Sequence, residues 1–419
     1  MSRSLKVSPE NIQEVKSAFS RSPFTSQQAL ATELGLARDT IRKFLSGIPI
    51  DRLNFQEICD KLGLDWQSIL PRTDDTSESS IPPDFYVQRP PIESDCCQAI
   101  VQSGALLRIK APQQMGKTCL MRKVLQHARK QGYKTVVLDI QQASSDNFSD
   151  LRKFLRWFCT TVGDELNLPG QLENYWHGSS PNYNTTKYFK NYLLGNITSN
   201  LVLALDNVDL VFEKAQLAPD FCGLLRSLNQ KAESGDVVFQ KLRLVIVHST
   251  DVYSSINITQ SPLANVGVTV ELKPFNWQQV CDLAKLYQLS WDNTQLRELI
   301  NMVGGHPYLV KEAFDKIARQ RLTFDELLQT AYTEAGIYGD YLRGYLLKLN
   351  HNAELREAMK KVVAVNSPVR LEVTHRFQLH RMGLVHLQGN DVKISCNLYR
   401  KYFCDCLEVT DCDCFGVSQ

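Results

Sequence analysis

Residues 111–118 of this chain read Ala-Pro-Gln-Gln-Met-Gly-Lys-Thr. The apolar run at 105–109 before them is typical of a buried strand, and the segment at 119–130 after them is typical of a helix. A strand, a tight loop ending in Gly-Lys-Thr and a helix together indicate a loop whose backbone N–H groups hold nucleotide phosphates. The usual pattern begins with Gly, and this chain has Ala111, the mildest replacement. We therefore predict a nucleotide-binding loop.

The residues of this loop have predicted roles in binding ATP or ADP with Mg²⁺. Lys117 is expected to contact the β- and γ-phosphates, and the Thr118 hydroxyl is expected to coordinate the metal ion. The other residues predicted to bind the nucleotide from the loop and from the first helical turn are Ala111, Pro112, Gln113, Gln114, Met115, Gly116 and Cys119.

A second candidate metal ligand is Asp206, directly after the apolar run 201–205. A carboxylate at the carboxyl end of a parallel strand beside the loop strand is where an NTPase holds Mg²⁺, directly or through water. A buried strand followed by an Asp-Asn turn would have the same residues. We favour metal coordination, because a nucleotide-binding loop lies upstream.

The residues after Asp206 bear on the expected rate of hydrolysis. Many ATPases of this kind have Glu immediately after that Asp to orient the attacking water, but this chain has Asn207, which cannot take a proton. Asp209 is the candidate replacement. The candidate catalytic residues are therefore Asp206, Asn207 and Asp209, and the sequence predicts nucleotide binding with slow hydrolysis.

Two further apolar runs extend the predicted sheet. The run 242–247 ends in His-Ser-Thr at 248–250, which either senses the γ-phosphate or forms a hydrogen-bonded turn. The run 135–140 closes a strand–helix–strand unit. The alternation of strands and helices between residues 105 and 272 predicts an α/β P-loop core, which is a parallel sheet with flanking helices.

Composition adds few further limits on function. The 419 residues have a net charge of +2, which gives no electrostatic preference for nucleic acid or membrane. No apolar run approaches the roughly 20 residues of a membrane helix, and the first residues lack an apolar signal segment. We expect a soluble, cytoplasmic protein of about two to four domains.

The chain has twelve cysteines, and five of them lie close to the C-terminus. Two CxC pairs, at 404–406 and 412–414, have ligands that suit Zn²⁺, although the usual spacing is CxxC. The alternative, which we favour, is a loose thiol-bearing tail: residues 404–419 form a Cys-containing tail, of which 408–419 are predicted to be unstructured.

Residues 1–72 are predicted to form a separate all-α helix-turn-helix domain, followed by a polar linker at 73–83. Its ten Lys/Arg against eight Asp/Glu are a weak excess for a DNA reader. DNA binding and a role as a protein adaptor are both open interpretations. The second helix of this domain is predicted at 38–45. If the domain reads DNA, the residues that face the groove from this helix are Arg38, Thr40, Arg42 and Lys43.

Residues 84–403 resemble the AAA-like ATPase family found mainly in cyanobacteria, which is related to the AAA+ and STAND classes of P-loop ATPases. Many members have Glu where this chain has Asn207. The N-terminal residues separately resemble helix-turn-helix domains fused to large bacterial NTPases. The segments that match the family are 85–93, 114–118, 154–159, 203–206, 247–250, 304–309 and 398–403.

The resemblance implies two further contacts with the nucleotide. Tyr86 and Val87 lie where related proteins place a segment that packs on adenine, and the alternative is a linker flanked by prolines. Pro307 matches the proline of a Gly-x-Pro signature that approaches the nucleotide in STAND ATPases. The alternative there is a helix start, which proline suits.

The resemblance also implies how the rest of the chain divides. The expected units are an ATPase core at 84–275, a helical lid at 276–348 and a winged helix at 349–403. In STAND proteins the winged helix closes on the nucleotide. His380 or Arg381 is therefore a candidate phosphate contact.

These features predict an ATP-binding molecular switch of the STAND/AAA-like kind, with slow ATPase activity, that acts in signalling or defence through conformational change or oligomerisation. The alternatives are an AAA+ DNA-remodelling ATPase, of origin-recognition or transposition-regulator type, and an ATP-dependent transcription regulator. An arginine finger would favour the assembling machine, and Arg226 and Arg243 are the candidates. We expect a homo-oligomer or a protein partner to deliver the output.

Overall fold

The chain forms two compact units, Met1–Pro83 and Asp84–Gln419. Among the residues described below, no helix combines the length and the apolar character that a bilayer crossing requires. The predicted linker at 73–83 lies outside the described residues. The computed structural model describes residues 4–8, 11–22, 24, 26–34, 36–48, 50–62, 64, 85–178, 180–250, 263 and 266–409.

The first unit is a small helical core with one short antiparallel ladder, in which Ser4–Leu5 (β1) pairs with Ile50–Asp51 (β2). Leu30, Ile41 and Phe44 are fully or almost fully buried in this core. The helix at 38–45 has the bounds that the sequence predicted, whereas the sequence did not predict the ladder. The helices are α1 Ile12–Arg21, α2 Gln27–Glu33, α3 Arg38–Leu45 and α4 Arg52–Leu62.

The second unit is built on a five-stranded sheet in which every neighbouring pair of strands is parallel. The strand order is β4-β5-β6-β3-β7, so the predicted parallel sheet is confirmed. Strands β5 and β6 are buried along their whole length, which explains why they are continuous apolar runs. The strands are β3 Leu106–Ala111, β4 Lys134–Asp139, β5 Leu201–Asp206, β6 Leu242–Ser249 and β7 Val268–Glu271.

The position of β5 differs from the prediction. The sequence interpretation placed the strand that ends in Asp206 beside the loop strand, and this was wrong, because β6 lies between them. Leu106 of β3 pairs with Leu244 of β6, and Leu203 of β5 pairs with the same Leu244 from the other side. Apolar periodicity identifies a strand but carries no information on its neighbour. All carboxyl ends still meet at one edge of the sheet, because the strands are parallel.

Helices cover both faces of this sheet, as predicted. Leu107 and Ile109 of β3 pack with Leu120 and Val124 on one face. On the other face, a second apolar core joins strands β4, β5 and β6 to an aromatic-rich helical layer that includes Phe154. The helices of this part are α5 Ile92–Ile100, α6 Lys117–Lys130, α7 Leu151–Glu165, α8 Pro181–Tyr188, α9 Asp209–Phe212 and α10 Ala218–Glu233.

The remainder of the second unit is mostly helical. One continuous apolar core runs from Val280 to Leu407, and helix α15 spans the boundary expected between 348 and 349. The helices and the single hairpin of the described region are α11 Trp277–Leu286, α12 Asn293–Val303, α13 Pro307–Ala318, α14 Phe324–Thr330, α15 Gly339–Asn350, α16 Ala353–Ala364, α17 Val373–Arg381, β8 Val385–Gln388, β9 Asp391–Ile394 and α18 Asn397–Cys406.

The start of the predicted C-terminal tail belongs to this core. Helix α18 continues through Cys406, and Cys404 and Leu407 are buried. Cys404 takes part in a disulfide. Residues 404–407 therefore begin the predicted Cys-containing tail as part of the helical core, because the side chains of Cys404 and Leu407 share one face. Cys412 and Cys414 lie outside the described residues, and no metal-binding group of three or more His, Cys, Asp or Glu occurs among the described ones.

Candidate functional site

The loop between β3 and α6 has the geometry of an anion cradle. Ala111 ends β3 fully buried, and Gly116 precedes the first residue of α6 with φ +92°. Gln114 also has positive φ, at +59°. These left-handed residues turn the chain sharply, so that the helix N-terminus faces the loop. The first N–H groups of a helix have no helical acceptor and attract anions.

The chemistry of the loop pattern lies in its last two side chains. Lys117 Nζ donates to the backbone oxygen of Ala111 at 3.0 Å and of Pro112 at 2.7 Å, so the cation lies across the loop. Thr118 Oγ1 donates to Asp206 Oδ2 at 2.8 Å. The structure therefore brings together the lysine, the hydroxyl and the carboxylate that the sequence selected.

Asp206 is suited to a metal ion. Its side chain lies at the carboxyl end of β5, only 7% exposed, and its Oδ1 accepts from Asn207 N at 3.0 Å. Burial raises the pKa of this carboxyl, and the hydrogen bonds from Thr118 and Asn207 oppose the shift. A hydroxyl and a carboxylate are oxygen ligands of the type Mg²⁺ prefers, together with phosphate oxygens. The residues present therefore fit a magnesium nucleotide.

Asn207 and Asp209 point to other partners. Asn207 has φ +57°, and its Nδ2 donates to Asp139 Oδ1 at 2.9 Å, which ties β5 to β4. Asp209 Oδ1 accepts from Ser249 N at 2.9 Å, which ties α9 to β6. Asp206 is the candidate catalytic residue that the structure hydrogen-bonds to the loop helix. Sequence reasoning missed Asp139, although it ends an apolar strand as Asp206 does.

The end of β6 connects the loop strand to the C-terminal helices. His248 is buried, and burial lowers the pKa of its imidazole to about 3, which keeps the ring neutral. Thr250 N donates to Ala111 O at 3.1 Å, and Thr250 Oγ1 donates to Arg381 O at 2.6 Å. His248 and Ser249 continue β6 and pair with Lys110 and Ala111, so the turn interpretation is wrong for these two residues. Thr250 links the core to α17.

The segment before the core packs tightly without forming a helix or strand at 86–89. Tyr86 donates its hydroxyl to Glu93 Oε1 at 2.8 Å, and Lys123 Nζ lies 4.9 Å from the centre of the Tyr86 ring. Val87 is 7% exposed and belongs to the C-terminal helical core. Tyr86 thus lies beside α6, while the side chain of Val87 is buried among the helices after the sheet.

Arg89 is a residue of this segment whose role the sequence did not reveal. It is buried, and its Nη2 donates to Met115 O at 2.8 Å while its Nη1 donates to Lys273 O at 2.9 Å. Its guanidinium carbon lies 4.5 Å from the centre of the Phe275 ring. Arg89 therefore ties the loop to the segment after β7, which leads into the helical region.

Pro307 is the first residue of α13, as expected of a proline at a helix start. The residue before it, His306, is buried, and burial lowers its pKa to about 3, while the Gln113 backbone opposes that shift. His306 Nε2 lies 3.2 Å from the Tyr341 hydroxyl, which lies 2.8 Å from the Tyr399 hydroxyl. The Gly-x-Pro segment thus places a neutral imidazole beside the loop and connects it to α18.

A cation on helix α13 also acts on the first turn of α6. Cys119 is partly buried, burial raises the pKa of its thiol, and Arg122 of α6 and Lys311 of α13 oppose that shift. Arg122 and Lys311 therefore both act electrostatically on the Cys119 thiol.

The end of α17 rests on the loop. Gly383 has φ +78°, and a Cβ atom added there would lie 3.0 Å from Pro112 Cγ. His380 and Arg381 lie at the end of α17, on the wall of a cavity that also includes Pro112. The two candidate phosphate contacts are therefore near the loop.

The two arginine-finger candidates have different surroundings. Arg226 is exposed on α10. Arg243 is buried at the start of β6, donates to Gln240 O at 2.7 Å and stacks 5.0 Å from the centre of the Tyr133 ring. The prediction of Arg243 as an arginine finger is wrong, because this side chain is buried at the edge of the sheet opposite the loop.

The loop, the sheet order and the Thr118–Asp206 pair define a P-loop protein. Residues 75–405 match the family described as AAA-like domain. The chain belongs to this family. A comparison with curated proteins gives no match.

Solved structures share the fold of this chain. The Walker-type ATPase of Pyrococcus abyssi superposes with a TM-score of 0.55 at 13% identity, over 76% of this chain and 96% of its own. The ORC2 protein of Aeropyrum pernix, solved in ADPNP–ADP complexes, has a TM-score of 0.50 at 14% identity, over 79% of this chain and 95% of its own. At these identities the likeness concerns the fold alone.

Proposed function

We propose that this protein is an ATP-binding molecular switch of the STAND/AAA-like kind with slow hydrolysis. The hydrogen bond between Thr118 and Asp206, next to Lys117, carries the proposal. It places a hydroxyl and a carboxylate together at a helix N-terminus, where a magnesium nucleotide would be bound. Slow turnover follows from Asn207, whose amide donates to Asp139 and offers no base. Asp206 holds the Mg²⁺–water shell in this proposal.

The nucleotide would bind between the core and α13. Lys311 of α13 and Arg122 of α6 both influence Cys119, so cations from both sides would meet the phosphates or the base. Pro307 and Tyr86 border the same region on α13 and before α5. The nucleotide state would then set the position of the helical lid, which is the conformational change of the switch.

We assign a winged-helix role to residues 349–403, and the order of α16, α17 and the β8–β9 hairpin supports this assignment. Thr250 Oγ1 donates a hydrogen bond to Arg381 O, and a Cβ atom added at Gly383 would lie against Pro112. A change at the loop would therefore act on α17 directly. Release of α17 would expose the surface that binds a protein partner or a second copy of the chain.

The test of nucleotide binding is Lys117→Ala, measured by calorimetry with ATP and ADP in the presence of Mg²⁺. We expect the affinity to fall below detection, because the variant removes the cation that would face the β- and γ-phosphates. Lys130→Ala is the matched control, since Lys130 is an exposed lysine in the last turn of the same helix. Equal ATP affinity of wild type and Lys117→Ala would refute the assignment of the loop.

A second candidate function is a DNA-binding ATPase of the remodelling or transcription-regulator kind. Helix α3, proposed as the recognition helix of a helix-turn-helix, exposes Arg38 and Arg42. Asp39 weakens this candidate, because it pairs with Arg42 at 2.5 Å and with Lys43 at 2.9 Å. Thr40 is partly exposed on the same helix.

Double substitution of Arg42 and Lys43 by Ala tests this candidate. If both side chains contact phosphates, DNA association should weaken and its salt slope should fall by about 2. The measurement is fluorescence anisotropy of a labelled duplex across a salt series. If the wild-type protein shows no binding at low salt, the domain is a protein adaptor.

A further inference from the structure

The turn at residues 304–306, between α12 and α13, contacts two other parts of the second unit. Phe275 N, in the segment after β7, donates to Gly305 O at 2.8 Å. A Cβ atom added at Gly304 would lie 2.8 Å from Ser395 O, directly after β9. The last residue of the turn, His306, is 8% exposed and directly precedes α13. The turn therefore holds a buried imidazole between the segment after the sheet and the end of the hairpin.

The two ring nitrogens of His306 have different surroundings. Nε2 lies 3.2 Å from the Tyr341 hydroxyl. Nδ1 is buried and has no hydrogen-bond partner within the part of the chain that the structure describes. A buried polar atom without a partner is unfavourable, and such atoms are rare in folded proteins. The unpartnered nitrogen therefore indicates a partner that arrives in another state of the protein.

The backbone of Gln113, in the nucleotide-binding loop, acts on this imidazole. Burial lowers the pKa of His306 to about 3, and the Gln113 backbone opposes that shift. A carbonyl oxygen has this effect, because it stabilises a ring N–H. Since Nε2 faces Tyr341, Nδ1 is the nitrogen that faces Gln113. The loop residues Pro112 and Met115 line the same cavity as His306, so the ring lies beside the loop.

On its other side, the His306 ring leads to helix α18 through buried hydroxyl groups. The Tyr341 hydroxyl lies 2.8 Å from the Tyr399 hydroxyl of α18 and 3.4 Å from the Tyr345 hydroxyl. Burial raises the pKa of Tyr341 well above its ordinary value, so this hydroxyl keeps its single proton. The polar groups cross the apolar core of the helical region. They form a chain of contacts from the loop to α18.

One neutral tautomer of His306 completes this chain. A neutral imidazole has one N–H donor and one acceptor nitrogen. With the proton on Nδ1, the ring can donate to Gln113 O, while Nε2 accepts from the Tyr341 hydroxyl and the Tyr341 oxygen accepts from Tyr399. With the proton on Nε2, the lone pair of Nδ1 would face a carbonyl oxygen, which is repulsive. The surroundings of the ring therefore assign the proton to Nδ1.

We propose that His306 is the positioning residue through which the state of the nucleotide-binding loop reaches helix α18. The inference rests on the proposed function, because it concerns the regulation of the same site. Bound phosphates fix the loop backbone through its N–H groups, and Gln113 O then accepts a hydrogen bond from His306 Nδ1. The ring is fixed by this bond, and its Nε2 holds Tyr341 and, through it, Tyr399. Without nucleotide, Nδ1 has no partner and α18 is held less firmly.

The experiment measures hydrogen–deuterium exchange of the full chain with and without saturating ADP and Mg²⁺. ADP is the probe because the protein does not hydrolyse it. In the wild type we expect ADP to slow amide exchange in the loop, and also in α18 by about threefold or more. Tyr341→Phe removes the hydroxyl and keeps the ring. This variant should keep the protection of the loop and lose that of α18, while ADP affinity changes by no more than about threefold.

Tyr308→Phe is the matched control. Tyr308 lies on α13, and its ring centre is 5.4 Å from that of Tyr341, but its hydroxyl is not part of the chain of contacts. This variant should respond to ADP as the wild type does. His306→Asn is a second test, because its amide keeps a donor near the position of Nδ1 but is too short to accept from Tyr341. It should protect the loop without protecting α18.

Three results would overturn the proposal. The first is protection of the loop but not of α18 in the wild type. The second is full protection of α18 in Tyr341→Phe or in His306→Asn, and the third is an equal loss in Tyr308→Phe and Tyr341→Phe. Failure of the proposed function gives a different result, in which ADP protects neither the loop nor α18 of the wild type, and this inference then fails with it.

Discussion

Asn207 has a conformation and a partner that bear on the rate of ATP hydrolysis. An amide can hydrogen-bond a water molecule but cannot accept its proton, so we expect basal turnover well below the ~1–100 s⁻¹ typical of kinases. Asn207→Glu should raise turnover, since it adds a base and removes the donor to Asp139. Asp206→Ala should abolish turnover together with Mg²⁺-dependent binding. Steady-state phosphate release measures the turnover of the wild type and of both variants.

Asn207→Gln is the control for this prediction. Gln has the size of Glu, and either side chain costs about 1 kcal/mol or more of stability in the left-handed conformation of position 207. Gln differs from Glu in that it has no carboxylate. A rise in turnover with Gln as well as Glu would assign the effect to the lost Asp139 contact. Fast hydrolysis by the wild type, unchanged by Asn207→Glu, would point to Asp209 as the base and to a cycling ATPase.

At single residues, the sequence predicted side chains whose role follows from a local pattern. Lys117 and Thr118 were predictable because the loop motif fixes their positions, and Asp206 because it ends an apolar strand. The contact of Arg89 with Met115 O joins residues 26 apart in sequence, and no local pattern signals it. The partner of Asn207 was missed for the same reason, since Asp139 lies 68 residues away.

Among the elements, helix α17 has the contact that is easiest to test. Gly383→Ala should lower the free energy of unfolding of the second unit, because the new Cβ would need a left-handed backbone and would also meet Pro112. Gly389→Ala is the matched control, since Gly389 has φ +61° with no heavy atom within 4 Å of an added Cβ. The strain of positive φ alone costs about 1 kcal/mol.

Chemical denaturation followed by fluorescence measures both glycine variants. We expect Gly383→Ala to be more destabilising than Gly389→Ala, and the difference is the contribution of the contact between α17 and the loop. If both variants lose the same free energy of unfolding, Pro112 shifts at no free-energy cost, and the loop and α17 are not tightly packed.

The sequence predicted helices and strands well where their pattern is local. It predicted less well the features that depend on which strands pair. Helix α3 has its predicted bounds, and β5 and β6 were recognisable as apolar runs. The order of the strands was not predictable, because the insertion of β6 between β3 and β5 depends on pairing between residues more than 100 positions apart. The antiparallel pair β1–β2 was missed because strands of two residues have no periodicity.

For the whole molecule, the switch proposal predicts assembly that depends on the nucleotide. Size-exclusion chromatography with light scattering should show a larger species with a non-hydrolysable ATP analogue than with ADP or without nucleotide, and Lys117→Ala should not form it. Arg226→Ala should slow hydrolysis in the assembly while nucleotide affinity is kept, because Arg226 is exposed on α10. An unchanged mass under all conditions, with and without DNA, would contradict this prediction.

The position of β6 also has a consequence for how the protein acquires its site during synthesis. Thr118 and Asp206 are 88 residues apart, and the strands next to them, β3 and β5, are both hydrogen-bonded to β6 and not to each other. Because β6 follows both in the chain, residues 242–249 have to leave the ribosome before the sheet is continuous between β3 and β5. Long-range parallel pairing is slow, so we expect the site to become rigid late in folding, when a nascent chain that ends before β6 already has the complete loop motif.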